Sequence, residues 1–343
     1  MLYIHQSSCI SPQSTFEPVD IDGLRLSVNN QLPALEPVYT GIPPAALRRM
    51  GRSVKLSVGA AMPLLAGAGT PDAPGSRPAP GAIIIGTGNG GLGDCVQFLT
   101  QLIEYDEGML TPGHFVQSTS NAMAAQISLV TANRSYNSTH VHRGLAFEMA
   151  LLDAALHASE APERVCLLGA VDEISSPNVH IETLAGAYKD AVVSNADLYT
   201  TETPGTLAGE GAAMFLTSGQ AEGALASVSV METLHSTDPA EVASLAPEAD
   251  LLLSGENGDS RVQPFYAAVE SRLPAAGIAR FKHMSGEYPT SSAMGLWLAV
   301  HLLRTGHIPQ HMVKRPTAVP IRSVLLYNTY KGLQHGFILC KSL

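Results

Sequence analysis

The chain has 343 residues, of which 45% are apolar and only 15% charged. Soluble domains average about 25% charged residues, so an unusual share of these side chains must sit in buried layers. Extended disorder is excluded, and there is material for two ordinary domains or one large α/β unit. The 20 Lys and Arg against 30 Asp and Glu leave a net charge of −10, which repels phosphate and excludes a broad nucleic-acid or anionic-membrane surface.

Strand-like and helix-like stretches alternate for most of the length, the pattern of α/β layering. The opening Met1–His5 has no basic segment followed by a long apolar run, and a short strand is predicted at Leu2–Ile4. A helix is predicted over Pro44–Leu65, followed by a proline- and glycine-rich surface connection, Gly67–Gly81. The most apolar window, Val58–Gly69, is too short and too rich in Gly and Ala to span a bilayer. A buried strand, Ala82–Ile85, then leads through a glycine turn into a helix over Leu92–Tyr105, and a second helix is predicted over Asn121–Leu129.

The middle of the chain reads as strand Ser135–Val141, helix Gly144–His157, strand Val165–Gly169, a glycine-led strand over Thr206–Ser218 and its neighbour Ala224–Glu232. After a break near Ser236–Leu245 the pattern resumes with strand Leu251–Leu253, helix Val262–Leu273, strand Ile278–Lys282, helix Ser291–Leu303 and strands Val324–Asn328 and Gly336–Cys340. This divides the chain into halves, 1–235 and 236–343, compatible with an old duplication. Cys9, Cys95, Cys166 and Cys340 lack any Cys-x-x-Cys spacing, and a chain of this length needs no staples. They read as reduced thiols of a soluble, cytoplasmic protein.

Gly86-x-Gly88-x-x-Gly91 after a strand and before a helix has the form of a dinucleotide fingerprint. The acid that should end a second parallel strand about twenty residues on is missing. Glu104 and Asp106 fall instead at the end of the helix that the glycines begin. A tight strand-to-helix turn that needs small residues is the simpler reading, and no cofactor is implied.

Six segments in order resemble the β-ketoacyl-ACP synthases of the thiolase fold. They are Tyr3-Ile4 through Ile10-Ser11-Pro12, the opening strand and its Pro turn; Arg48-Arg-Met-Gly-Arg52, an arginine-rich helix start; and Ala82–Gly93, similar to the Ile-Gly-Ser-Gly-x-Gly-Gly turn. The others are His114–Ala125, similar to Phe-x-Pro-Ser-x-x-x-Asn-Met-x-Ala; Leu207–Leu216, similar to Leu-Gly-Glu-Gly-Ala-Gly-x-Leu-Val-Leu; and Lys282-His-Met-Ser-Gly-Glu287, similar to Lys-Ser-Met-Thr-Gly-His. The resemblance implies a five-layered α/β/α/β/α fold of two similar halves, normally dimeric. It further implies a nucleophilic cysteine at a helix N-terminus, two histidines that stabilise an enolate, and backbone N–H groups that hold the thioester oxyanion.

None of the three catalytic side chains stands where the resemblance puts it. Between strand Ser135–Val141 and helix Gly144–His157 the chain reads Ser138-Thr-His140-Val141-His142-Arg143-Gly144, without a cysteine. The nucleophile position falls on Val141, or on His142 if the offset is one residue. The first histidine falls in Leu253-Ser-Gly-Glu256-Asn257-Gly-Asp259, at Glu256 or a neighbour, and the second is Glu287. A carboxylate cannot donate to an enolate unless its pKa rises far above about 4.3. Lys282, Gly286 and Asn328 match the family, whereas the last loop, Thr329–Gly336, is shorter and poorer in glycine than the family's Phe-Gly-Phe-Gly-Gly-Thr-Asn run.

Such losses on this frame resemble the chain-length factors, inactive partners of ketosynthases in type II polyketide and aryl-polyene or flexirubin-type pathways. The resemblance implies a heterodimer with a cysteine-bearing ketosynthase, with acyl carrier protein engaged indirectly. Two alternatives stay open: an acyltransferase or hydrolase using His142 with Glu256 or Glu287, and a homodimeric acyl-binding protein. His140-x-His142 at strand spacing could also share a metal with Glu256 or Glu287, although such histidines more often serve as hydrogen-bonded structural groups. Arg48, Arg49, Arg52 and Lys55 form either a carrier-protein patch or a solvated helix face.

Overall fold

The computed structural model describes residues 1–66 and 79–343, so most of the Gly67–Gly81 connection, from 67 to 78, lies outside the described residues. The first strands and helices are β1 (Leu2–Ile10), β2 (Gln31–Leu32), α1 (Pro44–Leu47), α2 (Arg52–Leu65), β3 (Ala82–Thr87), α3 (Leu92–Glu104), α4 (Pro112–Gln117), α5 (Ala122–Thr131) and β4 (Tyr136–Val141). They are followed by α6 (Ala146–Glu160), β5 (Cys166–Asp172), α7 (Ser176–Leu184), β6 (Ala208–Gly209), β7 (Gly211–Ser218) and β8 (Ala226–His235). The remainder is α8 (Pro239–Ser244), β9 (Leu251–Ser254), α9 (Gln263–Arg272), β10 (Gly277–Arg280), α10 (Lys282–Ser285), α11 (Ser291–Thr305), β11 (Val313–Arg315), β12 (Ser323–Tyr330) and β13 (Gln334–Lys341).

Strand alternation builds the layers. On β3 Ile84 packs into a central core while Ile83 and Ile85 pack into an outer one; on β12 Val324 and Leu326 face the same central core while Leu325 and Tyr327 face the opposite outer side. Successive side chains of a strand point to opposite faces, so each sheet region is covered twice. The helices α2 and α5 pack on one outer face, α8 and α9 line the other outer core, and the apolar faces of α6 and α11 fill the centre. The result is a five-layered α/β/α/β/α arrangement.

Among the described residues eleven strands form one continuous sheet in the order β11-β10-β9-β12-β13-β8-β1-β7-β5-β3-β4. Numbered within their own sets, β1, β3, β4, β5, β7 and β8, β9, β10, β12, β13 both run 3-2-4-5-1. The first three neighbours in each set are parallel and the rest antiparallel, and the sets join where β1 meets β8 antiparallel. Parallel strands covered on both faces read as continuous apolar runs, which is why Ala82–Ile85 and Leu251–Leu253 are wholly buried.

Local expectations fail where a side chain outweighs periodicity. The helix predicted over Pro44–Leu65 divides, because Gly51 is extended (ψ 171°) and a Cβ there would lie 1.7 Å from Asp94 Oδ2. The strand predicted to reach Lys282 stops at Arg280, and Lys282 opens α10. Over Thr206–Ser218 the strand is interrupted at Glu210, whose carboxylate takes Arg52 and the amides of Ala34 and Ile174. The break at Ser236–Leu245 holds α8, begun by Pro239 and capped by Asp238, which accepts from the Ala240 amide. No helix among the described residues is long and apolar enough to cross a membrane.

Candidate functional site

The two helices of the central layer begin at two very different junctions. The strand before α6, β4, is an edge strand of sequence Tyr-Asn-Ser-Thr-His-Val, with both its end residues exposed. Val141 is 50% exposed and stands opposite Thr87 on β3. The next residue, His142, is exposed, with Nδ1 3.4 Å from the Gln334 amide nitrogen. Gln334 accepts a hydrogen bond from the Gly144 N–H at 3.0 Å. Glycine is required there because a Cβ would fall 2.1 Å from Tyr330 Cβ.

His140 and His142 do not share a site. His140 Nε2 meets Asp153 at 2.9 Å, and Asp153 also takes His157 and the Tyr136 hydroxyl. Among the described residues no three His, Cys, Asp or Glu side chains are placed so that they could hold a metal ion. The cysteines stand elsewhere. Cys9, Cys166 and Cys340 are buried, with thiol pKa values pushed by burial up to about 12, 11 and 12, and Cys95 is half-buried on α3. Such thiols are poor nucleophiles.

The junction before α11 is buried and charged. Lys282 is 0% exposed, and its Nζ donates to Glu287 Oε1 at 2.7 Å and to Ser291 Oγ at 2.5 Å. Burial lowers the Lys282 pKa, and Glu287 opposes that shift. The other carboxylate oxygen of Glu287 accepts from the Asn257 side-chain amide at 2.8 Å. The turn needs Gly286: its φ is +67°, and a Cβ there would lie 2.6 Å from Gly209 Cα. Nearby on α6, Glu148 is fully buried with one oxygen lacking a partner among the described residues. Burial pushes its pKa up to about 7, and Lys282 is among the groups that oppose that shift.

Of the residues singled out in the sequence, Lys282 and Glu287 are thus in contact. Asn328 is buried against Gly255, with its side-chain oxygen unpartnered among the described residues. Glu256 points elsewhere, pairing with Lys314 at 2.6 Å and Arg280 at 3.5 Å, so its neighbour Asn257 is the residue that meets Glu287. No hydrogen bond or ion pair among the described residues joins His142 to either glutamate. The final loop closes as a hairpin in which Tyr330 pairs with Gln334. Lys331 and Gly332 turn it at φ +55° and +64°.

In front of Glu287 lies a cavity of about 480 Å³, also lined by Asn257, Tyr188, Tyr288, Tyr330 and the side of α7. Sequence reasoning missed α7 and Tyr188. The three apolar side chains of Ser176–Leu184, Val179, Ile181 and Leu184, give too little periodicity to announce a helix.

No family model and no curated protein matches the sequence. Solved structures match it over the whole length. The ishigamide ketosynthase/chain length factor superposes with a TM-score of 0.78 at 16% identity, covering 100% of this chain and 99% of that one. A β-ketoacyl synthase from Burkholderia phymatum does so at 0.73 and 16%, with the same coverage. A ketosynthase in complex with its chain length factor from Xenorhabdus doucetiae does so at 0.74 and 11%, covering 100% and 98%. At these identities the likeness is one of fold: the chain has the thiolase-type architecture of the β-ketoacyl synthases and of ketosynthase/chain length factor pairs.

Proposed function

We propose that this chain is a non-condensing subunit of chain-length-factor type, paired in the cytoplasm with a cysteine-bearing ketosynthase that elongates acyl chains held on a carrier protein. The observation that carries the reading is the junction before α6, which contains no cysteine and where the resemblance would put the nucleophile at Val141, or at His142 if the offset is one residue. Neither side chain forms a thioester that passes an acyl group on to a carbanion. The opposite junction supports it, since a glutamate bonded to Lys282 and Asn257 is an acceptor where an enolate needs a donor.

Two further features fit a partnered subunit. The edge strand β4 leaves unpaired backbone beside the exposed side chains of Tyr136 and Val141, with Leu129 of α5 74% exposed. Such an edge is normally covered in a stable protein. The net charge of −10 leaves docking of an acidic carrier to the partner. Of the four basic residues noted in the sequence, Arg52 is already held by Glu36 and Glu210, and only Arg48 and Arg49 are exposed. Two of the matching solved structures are ketosynthase and chain length factor pairs by their own descriptions.

Native mass spectrometry of the tagged protein recovered from its host tests the reading. A one-to-one complex with a cysteine-bearing ketosynthase is the expected result. A homodimer alone, or a stable acyl adduct on the purified chain after incubation with acyl-CoA, overturns it.

A further inference from the structure

The cavity in front of Glu287 has a composition of its own. Its volume, about 480 Å³, suits a small molecule. Four aromatic side chains stand in its wall, Tyr188, Phe265, Tyr288 and Tyr330, beside five acids, Asp172, Glu173, Glu182, Asp259 and Glu287. Only two bases line it, and both are already paired: Arg261 with Asp259 at 2.6 Å and Lys331 with Glu182 at 2.7 Å. Counting Lys282 behind Glu287 as well, five carboxylates face three cations.

The rings and the carboxylate converge. The charge on Glu287 is among the causes that raise the phenol pKa values of Tyr188, Tyr288 and Tyr330, after burial itself. Tyr288 is only 6% exposed, yet its hydroxyl bonds to no described residue. An anionic ligand would meet carboxylates and the negative faces of the rings. A cation meets both as partners.

We propose that this cavity binds an organic ammonium ion carrying a short apolar tail, the head held by Glu287 among Tyr188, Tyr288 and Tyr330 and the tail lying along Phe265 and Val179 of α7. Glu182 and Lys331 form its rim, tying α7 to the β12–β13 turn.

Isothermal titration calorimetry of the whole chain with butyrylcholine, and with the uncharged isostere in which a tert-butyl group replaces trimethylammonium, tests the site. Saturable one-site binding of butyrylcholine is expected, with the isostere at least about ten-fold weaker because a full positive charge on aromatic faces and a carboxylate is lost. Glu287→Gln and Tyr330→Leu should each weaken butyrylcholine by about ten-fold. Because Glu287→Gln strands the buried Lys282, Glu182→Gln on the rim supplies a second reading: it frees Lys331 and should weaken binding by about three-fold. No binding of butyrylcholine, equal binding of the isostere, or unchanged affinity in both Tyr330→Leu and Glu182→Gln overturns the proposal.

Discussion

The helices α6 and α11 hold equivalent places, each entering the central layer after the third strand of its own set, yet their entrances are opposites. The α6 entrance opens off an edge strand, carries Val141 and His142, and faces outward. At the α11 entrance Glu287 opens onto the cavity, while behind it Lys282 is buried at 0% exposure beside Glu287 and Ser291, with the buried Glu148 near. The α6 position can therefore accept different side chains at little structural cost, because it is exposed. The other is fixed by buried charge, which must stay balanced whatever chemistry the site performs.

The largest test of that contrast removes the buried cation from the α11 entrance. Lys282→Met leaves Glu287 and Glu148 without their shared counter-charge, and removing one partner of a buried pair costs about 3–5 kcal/mol. Urea unfolding at pH 7.5 should register a loss of that size, and a loss near that of an exposed substitution would show that the entrance is hydrated. The Glu148 carboxyl gives the next effect. Its folded pKa of about 7 lies above the ordinary 4.5, so between those values the folded chain binds more protons than the unfolded one. Stability contributed by the neutral acid is present below pH 4.5 and is lost as pH rises through 7. Glu148→Gln should therefore stabilise the protein by about 2 kcal/mol at pH 8 and by little at pH 4.5; equal effects at both pH values would contradict the burial of this group.

The contrast also explains what was legible beforehand. Parallel strands such as Ala82–Ile85 announce themselves as apolar runs, and glycines at Gly209 and Gly286 mark a place where two backbones touch. Hence α/β layering could be read from the residues, whereas the five layers and the Lys282–Glu287 turn came from the family resemblance. Its place just after a strand gave Glu256 or a neighbour as the candidate for the first catalytic position. One position decides otherwise: Lys314, from β11 far along the chain, draws Glu256 away and leaves Asn257 at the site. A pairing set by tertiary placement leaves no local pattern. For the same reason the Ile278–Lys282 strand ran too long in expectation, since an apolar Phe281 suits both β10 and the buried turn that follows it.

A third, smaller effect lies where the second half meets the first. His311 Nε2 donates to the Ile21 carbonyl, so His311 Nδ1 must accept from His283 Nε2, and His283 Nδ1 in turn accepts from the Tyr199 hydroxyl. Burial, with His311 and Arg280 nearby, holds the His283 pKa down at about 3 against an ordinary 6.5. The folded state thus keeps this ring neutral. Its contribution is complete above pH 6.5 and is lost as pH falls toward 3. Between pH 7 and 5.5 the wild type should lose about 1 kcal/mol more than His283→Gln, which accepts and donates but does not titrate. Parallel curves for the two proteins would show that the histidine relay is not what acid attacks.

The smallest structural effect is expected at the open entrance, and there it separates fold from chemistry. Val141→Cys replaces a half-exposed side chain by a smaller one on an edge strand, and exposed substitutions of this kind shift stability by less than about 0.5 kcal/mol. The new thiol should be alkylated readily by iodoacetamide, unlike buried Cys9, Cys166 and Cys340. Condensation should nevertheless stay undetectable with acyl and malonyl carrier substrates, because both oxygens of Glu287 already accept, from Lys282 and Asn257, where an enolate needs a donor. A ketoacyl product from this single substitution would mean that the Lys282–Glu287 junction does not block the chemistry, and the proposed non-condensing character would then rest on Val141 alone.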